Sequence, residues 1–216
     1  MLLHQQFVRI AKKNASKLAV IDKTTGKSVT YSRALIGALI LSSKFSKYEK
    51  GFIGIMIPTS AGAALATVGA LMSGRVPVMI NYSTGAEANV RYARKKCRFT
   101  TVITSRSLLE KINCPLVEGM VMIEDLMAGV TTGDKLKAAL KTKLPLGMLL
   151  NTVSRGSEDD TAAMLFTSGS EKDPKAVPLS HRNLIANIES FSSYVRVSGE
   201  DKILANLVFY HIFGLT

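Results

Sequence analysis

Apolar residues along this chain fall into short unbroken runs alternating with stretches of helical period. Residues 52–57 (Phe-Ile-Gly-Ile-Met-Ile) form a continuous apolar run that predicts a buried strand, stopped by the turn signal Pro58-Thr59-Ser60. Ser60 suits a helix N-cap, residues 61–72 a small-residue helix ending near Gly74, and residues 76–80 a second strand. The alternation continues with a polar helix over 87–96, a strand over 100–104, a helix over 107–111 and a strand over 120–124. Strands that read as unbroken apolar runs between helices predict an α/β fold with a doubly wound, mostly parallel sheet covered on both faces.

Upstream, residues 18–22 and 28–31 predict two strands joined by the turn Lys23-Thr24-Thr25-Gly26-Lys27 and leading into a helix over 32–43. Downstream lies a basic helical stretch, with Lys135, Lys137, Lys141 and Lys143 among Leu136, Leu140 and Leu144, ending at Pro145. It suits either a solvated connecting face or contact with an anionic membrane surface. The last third predicts a strand over 162–166, a loop over 167–178, a helix over 180–194 and a strand over 202–207. Neither an internal repeat nor a low-complexity tract interrupts this order.

Composition narrows the class. Of 216 residues, 47% are hydrophobic and 20% charged, enough to bury a core as one or two domains. The 28 basic against 16 acidic residues leave a net charge of +12, which favours acidic partners: a nucleotide, an anionic lipid surface or an acidic carrier protein. Nucleic acid is not expected, because the basic residues are scattered and aromatic residues make up only 6% of the chain, without a stacking motif. Residues 51–74 carry no charge over a length that could cross a bilayer, but Pro58, Thr59, Ser60, Thr67 and the glycines dilute them, so a membrane span is not expected. Cys97 and Cys114 show neither a CxxC pair nor metal-type histidine spacing, so they read as reduced thiols and no metal ligand is assigned. The start Met1-Leu2-Leu3-His4-Gln5-Gln6 lacks a secretory pattern, which predicts a cytoplasmic protein.

The chemistry concentrates in residues 164–178, where a buried strand runs into hydroxyls, glycine and lysine. Gly169 permits close backbone approach, Thr167, Ser168 and Ser170 can donate hydrogen bonds, and Lys175 brings positive charge, a set suited to phosphate oxygens. An ordinary surface turn has the same composition. GxxxxGK[ST] and GxSxG occur nowhere, which excludes a Walker A loop and the usual serine-hydrolase elbow.

Thr167-Ser168-Gly169-Ser170 with Pro174-Lys175 resembles TSGSTGxPKGV, the phosphate-binding signature of the adenylate-forming superfamily of acyl-CoA synthetases, luciferases and peptide-synthetase adenylation domains. Ser180-His181-Arg182-Asn183-Leu184 resembles the helix start that follows it. Val29-Thr30-Tyr31-Ser32, Gly74-Arg75-Val76-Pro77-Val78 and Tyr210-His211-Ile212-Phe213-Gly214 resemble further motifs of that superfamily, in its order. Glu171-Lys172-Asp173 and Ala176 depart from the signature's Thr-Gly pair and following glycine. Residues 74–82, 104–106, 123–126 and 211–216 are also similar to the acyl-carrier-protein synthetase part of bifunctional acylglycerophosphoethanolamine acyltransferases. The HxxxxD motif of the acyltransferase half is absent after His4, His181 and His211.

The resemblance implies ATP-dependent activation of a fatty acid as acyl-adenylate, with Mg2+, and transfer to the phosphopantetheine thiol of acyl carrier protein or CoA. It implies that Thr167, Ser168, Gly169, Ser170 and Lys175 hold phosphate and that His211 lies near the acyl carboxylate or adenylate. It further implies that residues 1–216 are a partial N-terminal AMP-binding domain, inactive alone, with adenine, ribose and magnesium contacts and the mobile C-terminal domain beyond Thr216. The competing expectation is a non-catalytic basic α/β module that docks on an acidic protein or membrane.

Overall fold

The computed structural model describes residues 1–23, 26–167 and 174–215. Helix α1 (Leu3–Lys13) precedes an antiparallel hairpin of β1 (Leu18–Asp22) and β2 (Lys27–Thr30), whose Leu18 pairs with Thr30 and Asp22 with Lys27. Of the five-residue turn expected there, Thr24 and Thr25 lie outside the described residues. The Thr30 side chain caps α2 (Tyr31–Phe45) by accepting from the Arg33 N–H.

The central unit is β3 (Gly51–Met56), α3 (Ala61–Met72) and β4 (Arg75–Met79), with β3 and β4 parallel from Gly51 opposite Arg75 to Ile55 opposite Met79. Ser60 caps α3, as expected, by accepting from the Ala63 N–H at 3.2 Å. The buried Asp22 carboxylate accepts from the Ala61 N–H at 3.0 Å and fastens the hairpin to the same helix end. Then follow α4 (Ala86–Cys97), β5 (Val102–Thr104), α5 (Arg106–Lys111), β6 (Met120–Met122), α6 (Ile123–Ala128), α7 (Thr132–Lys143), α8 (Leu146–Leu150), β7 (Thr161–Thr167), β8 (Lys175–Ser180), α9 (His181–Val195) and α10 (Ile212–Leu215).

Six strands form one sheet in the order β6-β5-β3-β4-β7-β8, parallel throughout except for the antiparallel pair β7–β8. Successive strand side chains face opposite sides. Met56, Val78 and Val102 pack with Val90 and Ala93 of α4, whereas Ile53, Ile55, Met79 and Ile103 pack with Ala63, Ala66 and Ala70 of α3. Both faces are therefore dry, the physical reason the strands read as unbroken apolar runs.

The uncharged stretch over 51–74 proves to be the centre of this core. Helix α3 lies so close to α2 that a Cβ on Gly69 would stand 2.9 Å from Leu41 Cβ, so its small residues serve close packing. No described helix is long and apolar enough to cross a membrane. Arg75 opens β4 as a buried cation, donating to the carbonyls of Glu49 at 3.2 Å, Ser46 at 3.1 Å and Tyr48 at 2.7 Å, and to that of Ser73.

Three expectations need correction. Residues 167–178 are not wholly a loop, because Lys175–Ser180 pair with β7 as β8. Residues 202–207 are not a strand: all six are exposed, and with no neighbouring strand their backbone has no ladder to join. The strand expected over 120–124 stops at Met122, where α6 begins. Helix α1, which the sequence analysis leaves unassigned, buries Val8 and Ala11 beside α2 and α8.

Candidate functional site

Strand β4 is followed by α4, which returns the chain across β3 to β5, whereas β3 is followed by α3, which leads to β4 on the other side. The loops leaving the carboxyl ends of β3 and β4 thus start side by side and diverge to opposite faces. In parallel α/β sheets such a switch point is where ligands bind. The β7–β8 hairpin and residues 207–215 come to the same end of the sheet.

Side chains join these segments. The Thr59 hydroxyl, after β3, donates to the Leu207 carbonyl at 3.0 Å. After β4, the Ser83 hydroxyl hydrogen-bonds the Tyr210 hydroxyl, and the Tyr82 ring meets the Tyr210 ring edge-on at 5.1 Å. Burial pushes the Tyr82 phenol above its ordinary range, reinforced by Tyr210, so Tyr82 presents a neutral hydroxyl at neutral pH. Asn81 fastens the loop: its side-chain oxygen accepts from the Ser83 N–H at 2.8 Å, and its carbonyl accepts from the Asn89 amide at 2.9 Å. Gly85, at φ 60°, turns the chain into α4 in a conformation that suits glycine.

Thr167 is the last residue of β7 and Lys175 the first of β8; they are register partners across the hairpin mouth, and both are exposed. Pairing at the strand ends therefore places the Thr167 and Lys175 side chains on the same face of the hairpin. Ser168, Gly169 and Ser170 lie outside the described residues, as do Glu171, Lys172 and Asp173. Tyr92 of α4 braces the hairpin twice, donating from its hydroxyl to the Pro174 carbonyl at 2.7 Å and packing edge-on against Phe166 at 5.8 Å. Its role has no sequence signal, because it stands in a polar helix among basic residues.

His211 is exposed in the turn before α10. Its N–H donates to the Val208 carbonyl at 3.0 Å, and its own carbonyl accepts from Gly214 at 2.9 Å and Leu215 at 3.1 Å. The turn sets His211 next to Tyr210, the residue that reaches Ser83. Ile212 and Leu215 anchor the segment on the core beside Leu165 and Leu184.

The segment 180–184 is structural. Ser180 and Asn183 form a reciprocal capping box for α9. His181 is buried, its Nδ1 accepts from the Leu3 N–H at 3.1 Å, and its ring lies 5.6 Å from that of buried His4. His4 Nε2 donates to the Ser154 carbonyl at 2.9 Å. Burial, then the neighbouring His4, lowers His181 to about 4, and burial lowers His4 too, so the pair packs uncharged.

Among the described residues, no three His, Cys, Asp or Glu side chains gather to hold a metal ion, and no residue is assigned to Mg2+. Cys97 and Cys114 are free thiols, both raised by burial.

Known proteins share the fold and sequence pattern of this chain. The chain is 27% identical over 222 residues to 4-coumarate–CoA ligase-like 4 of Oryza sativa subsp. japonica, covering 95% of this chain and 39% of that protein. It is 46% identical over 55 residues to the chloroplastic long-chain-fatty-acid–acyl-carrier-protein ligase of Arabidopsis thaliana, 26% of this chain and 8% of that one. Its fold matches o-succinylbenzoate CoA synthetase from Bacillus subtilis, solved with an acyl-adenylate intermediate, at a TM-score of 0.75 and 15% identity over 100% of this chain and 52% of that chain. The chain thus spans about two fifths of the curated relative that it matches over most of its own length. The profile described as AMP-binding enzyme matches residues 7–216, and the chain belongs to that family of adenylate-forming enzymes.

Proposed function

We propose that this chain is the phosphate-binding, N-terminal part of an ATP-dependent acid–thiol ligase that activates a fatty acid and passes it to the phosphopantetheine thiol of acyl carrier protein or CoA. The observation that carries the reading is the register pairing of Thr167 with Lys175 at the carboxyl end of the sheet, beside its switch point. The Arabidopsis relative's name, a long-chain-fatty-acid–acyl-carrier-protein ligase, supports the acyl class, and the rice relative's name supports a CoA thiol.

In the first step a carboxylate oxygen bonds to the α-phosphorus of ATP while the bond to the bridging β-phosphate oxygen breaks, releasing pyrophosphate. Negative charge shifts onto the leaving group, and catalysis there consists of positioning and charge neutralisation. Lys175 neutralises phosphate charge and the Thr167 hydroxyl donates to phosphate oxygen, joined by Ser168, Gly169 and Ser170. Mg2+, when bound with the nucleotide, would supply further positive charge to the phosphates, in keeping with its preference for oxygen ligands. His211, beside Tyr210, orients the acyl carboxylate. In the second step the thiol attacks the acyl carbonyl and AMP leaves. The free thiols Cys97 and Cys114 suit a reducing, cytoplasmic setting.

The reading as a non-catalytic basic module gains no support from the fold or the relatives. Pyrophosphate release from ATP with a panel of fatty acids tests the proposal, using this chain and the same chain extended with the remainder of an adenylate-forming ligase. Activity confined to the extended chain and lowered by Lys175→Ala supports it. Absence of pyrophosphate release from both rejects the ligase reading, and turnover by the 216 residues alone rejects the partial-domain reading.

A further inference from the structure

The outward face of α7 carries a feature that ATP chemistry does not use. Ala138 is the helix's buried residue, and at 3.6 residues per turn Leu136 and Leu140 project on the opposite side, each 60% exposed. Met148 of α8 is likewise 56% exposed. Lys135 and Lys143 flank the leucines on one side, and Lys137 and Lys141 on the other. The one acid in α7, Asp134, is taken up by the capping box with Thr131 and by Lys44 of α2 at 3.0 Å. Among the described residues no carboxylate pairs with the four lysines. Lys12 of α1 donates to the Thr142 and Leu144 carbonyls, 2.8 Å each, which adds an ammonium at the helix's carboxyl end beside exposed Lys13.

We propose that this leucine ridge with lysines on both flanks is a docking surface for an anionic lipid bilayer. A ridge standing out from a helix enters the boundary between headgroups and acyl chains, while cations on both sides meet a plane of negative headgroups. A protein partner would instead need an acidic groove shaped to the ridge. The inference stands independently of the ligase reading, since it requires neither ATP nor turnover.

Co-sedimentation of the chain with vesicles tests it, comparing pure phosphatidylcholine with phosphatidylcholine containing phosphatidylglycerol, at low and high salt. Binding is expected to the anionic vesicles at low salt and to fall as salt rises. The double variant Leu136→Gln/Leu140→Gln is expected to lose about tenfold in partitioning by removing the inserting groups. Lys135→Gln/Lys137→Gln is expected to remove the preference for anionic vesicles. Circular dichroism and the melting temperature establish that each variant folds, which the exposure of all four positions favours. Equal binding to neutral and anionic vesicles, or no effect of either double variant, overturns the proposal. Unchanged vesicle binding with lost retention on immobilised acyl carrier protein also overturns it and reassigns the face to an acidic protein.

Discussion

The hydroxyl of Tyr92, on α4, donates a 2.7 Å hydrogen bond to the Pro174 carbonyl, one residue before Lys175 at the mouth of the β7–β8 hairpin. The two residues are 82 positions apart, so this bond exists only once α4 lies on the sheet. It links the fold's core to the hairpin that carries the candidate phosphate-binding residues. Tyr92→Phe keeps the ring against Phe166 and removes the bond, a loss of about 1 kcal/mol. In the extended chain this should raise the KM for ATP about fivefold while leaving kcat nearly unchanged. Pyrophosphate exchange at varied ATP provides the measurement, and an unchanged KM refutes the bracing role.

Lys175→Ala removes the cation that opens β8. On the proposed mechanism, loss of this charge should lower the exchange rate about a hundredfold. Lys175→Arg keeps the charge and should recover part of that loss. The comparison separates charge from shape, and the melting temperature of each variant reads any effect on the fold.

Arg75 should matter to stability far more than to chemistry. Four backbone carbonyls near the opening of β4 accept from its guanidinium, and the arginine is itself buried. Arg75→Met leaves those acceptors without their donor and should cost about 3 kcal/mol. Urea unfolding at neutral pH reads this directly, and a change below about 1 kcal/mol contradicts the assignment.

Acid should loosen the contact between α1 and α9. His181 titrates at about 4 in the fold and near 6.5 when unfolded, because burial, then His4, disfavours its cation, while Asp160 acts in the opposite sense. Between those values the unfolded chain binds more protons, so this contribution is complete above about pH 6.5 and is lost as pH falls toward about 4. His181→Asn offers a side-chain oxygen to the Leu3 N–H without a titrating ring, and should flatten the decline in stability over that window. Denaturation midpoints across that pH range decide; equal slopes for both proteins rule out His181 as the source.

Much of the α/β order was legible from local signals. The apolar run over 52–57, the Ser60 cap and the small-residue helix over 61–72 appear in the structure as β3, the capped α3 and their links. The expected N-terminal hairpin and the helix beginning after Ser180 also form. Such features depend on side-chain period and on residues three or four positions apart, which a sequence displays directly. Thr167 and Lys175 were likewise visible as a candidate hydroxyl and cation, and the structure makes them register partners.

Strand order and the company each residue keeps depend on contacts far apart in sequence. Residues 202–207 carry the pattern of a strand, yet a strand requires a neighbour for its backbone groups, and they remain exposed. Lys175–Ser180, expected as loop, found that neighbour in β7. The sequence by itself determined the alternating elements, their caps and the residue types of the candidate phosphate-binding set. Only the tertiary structure decided that β7 lies beside β4, that Tyr210 meets Ser83 and that Tyr92 braces Pro174, because nonlocal backbone pairing and burial choose among partners that local preference leaves equivalent.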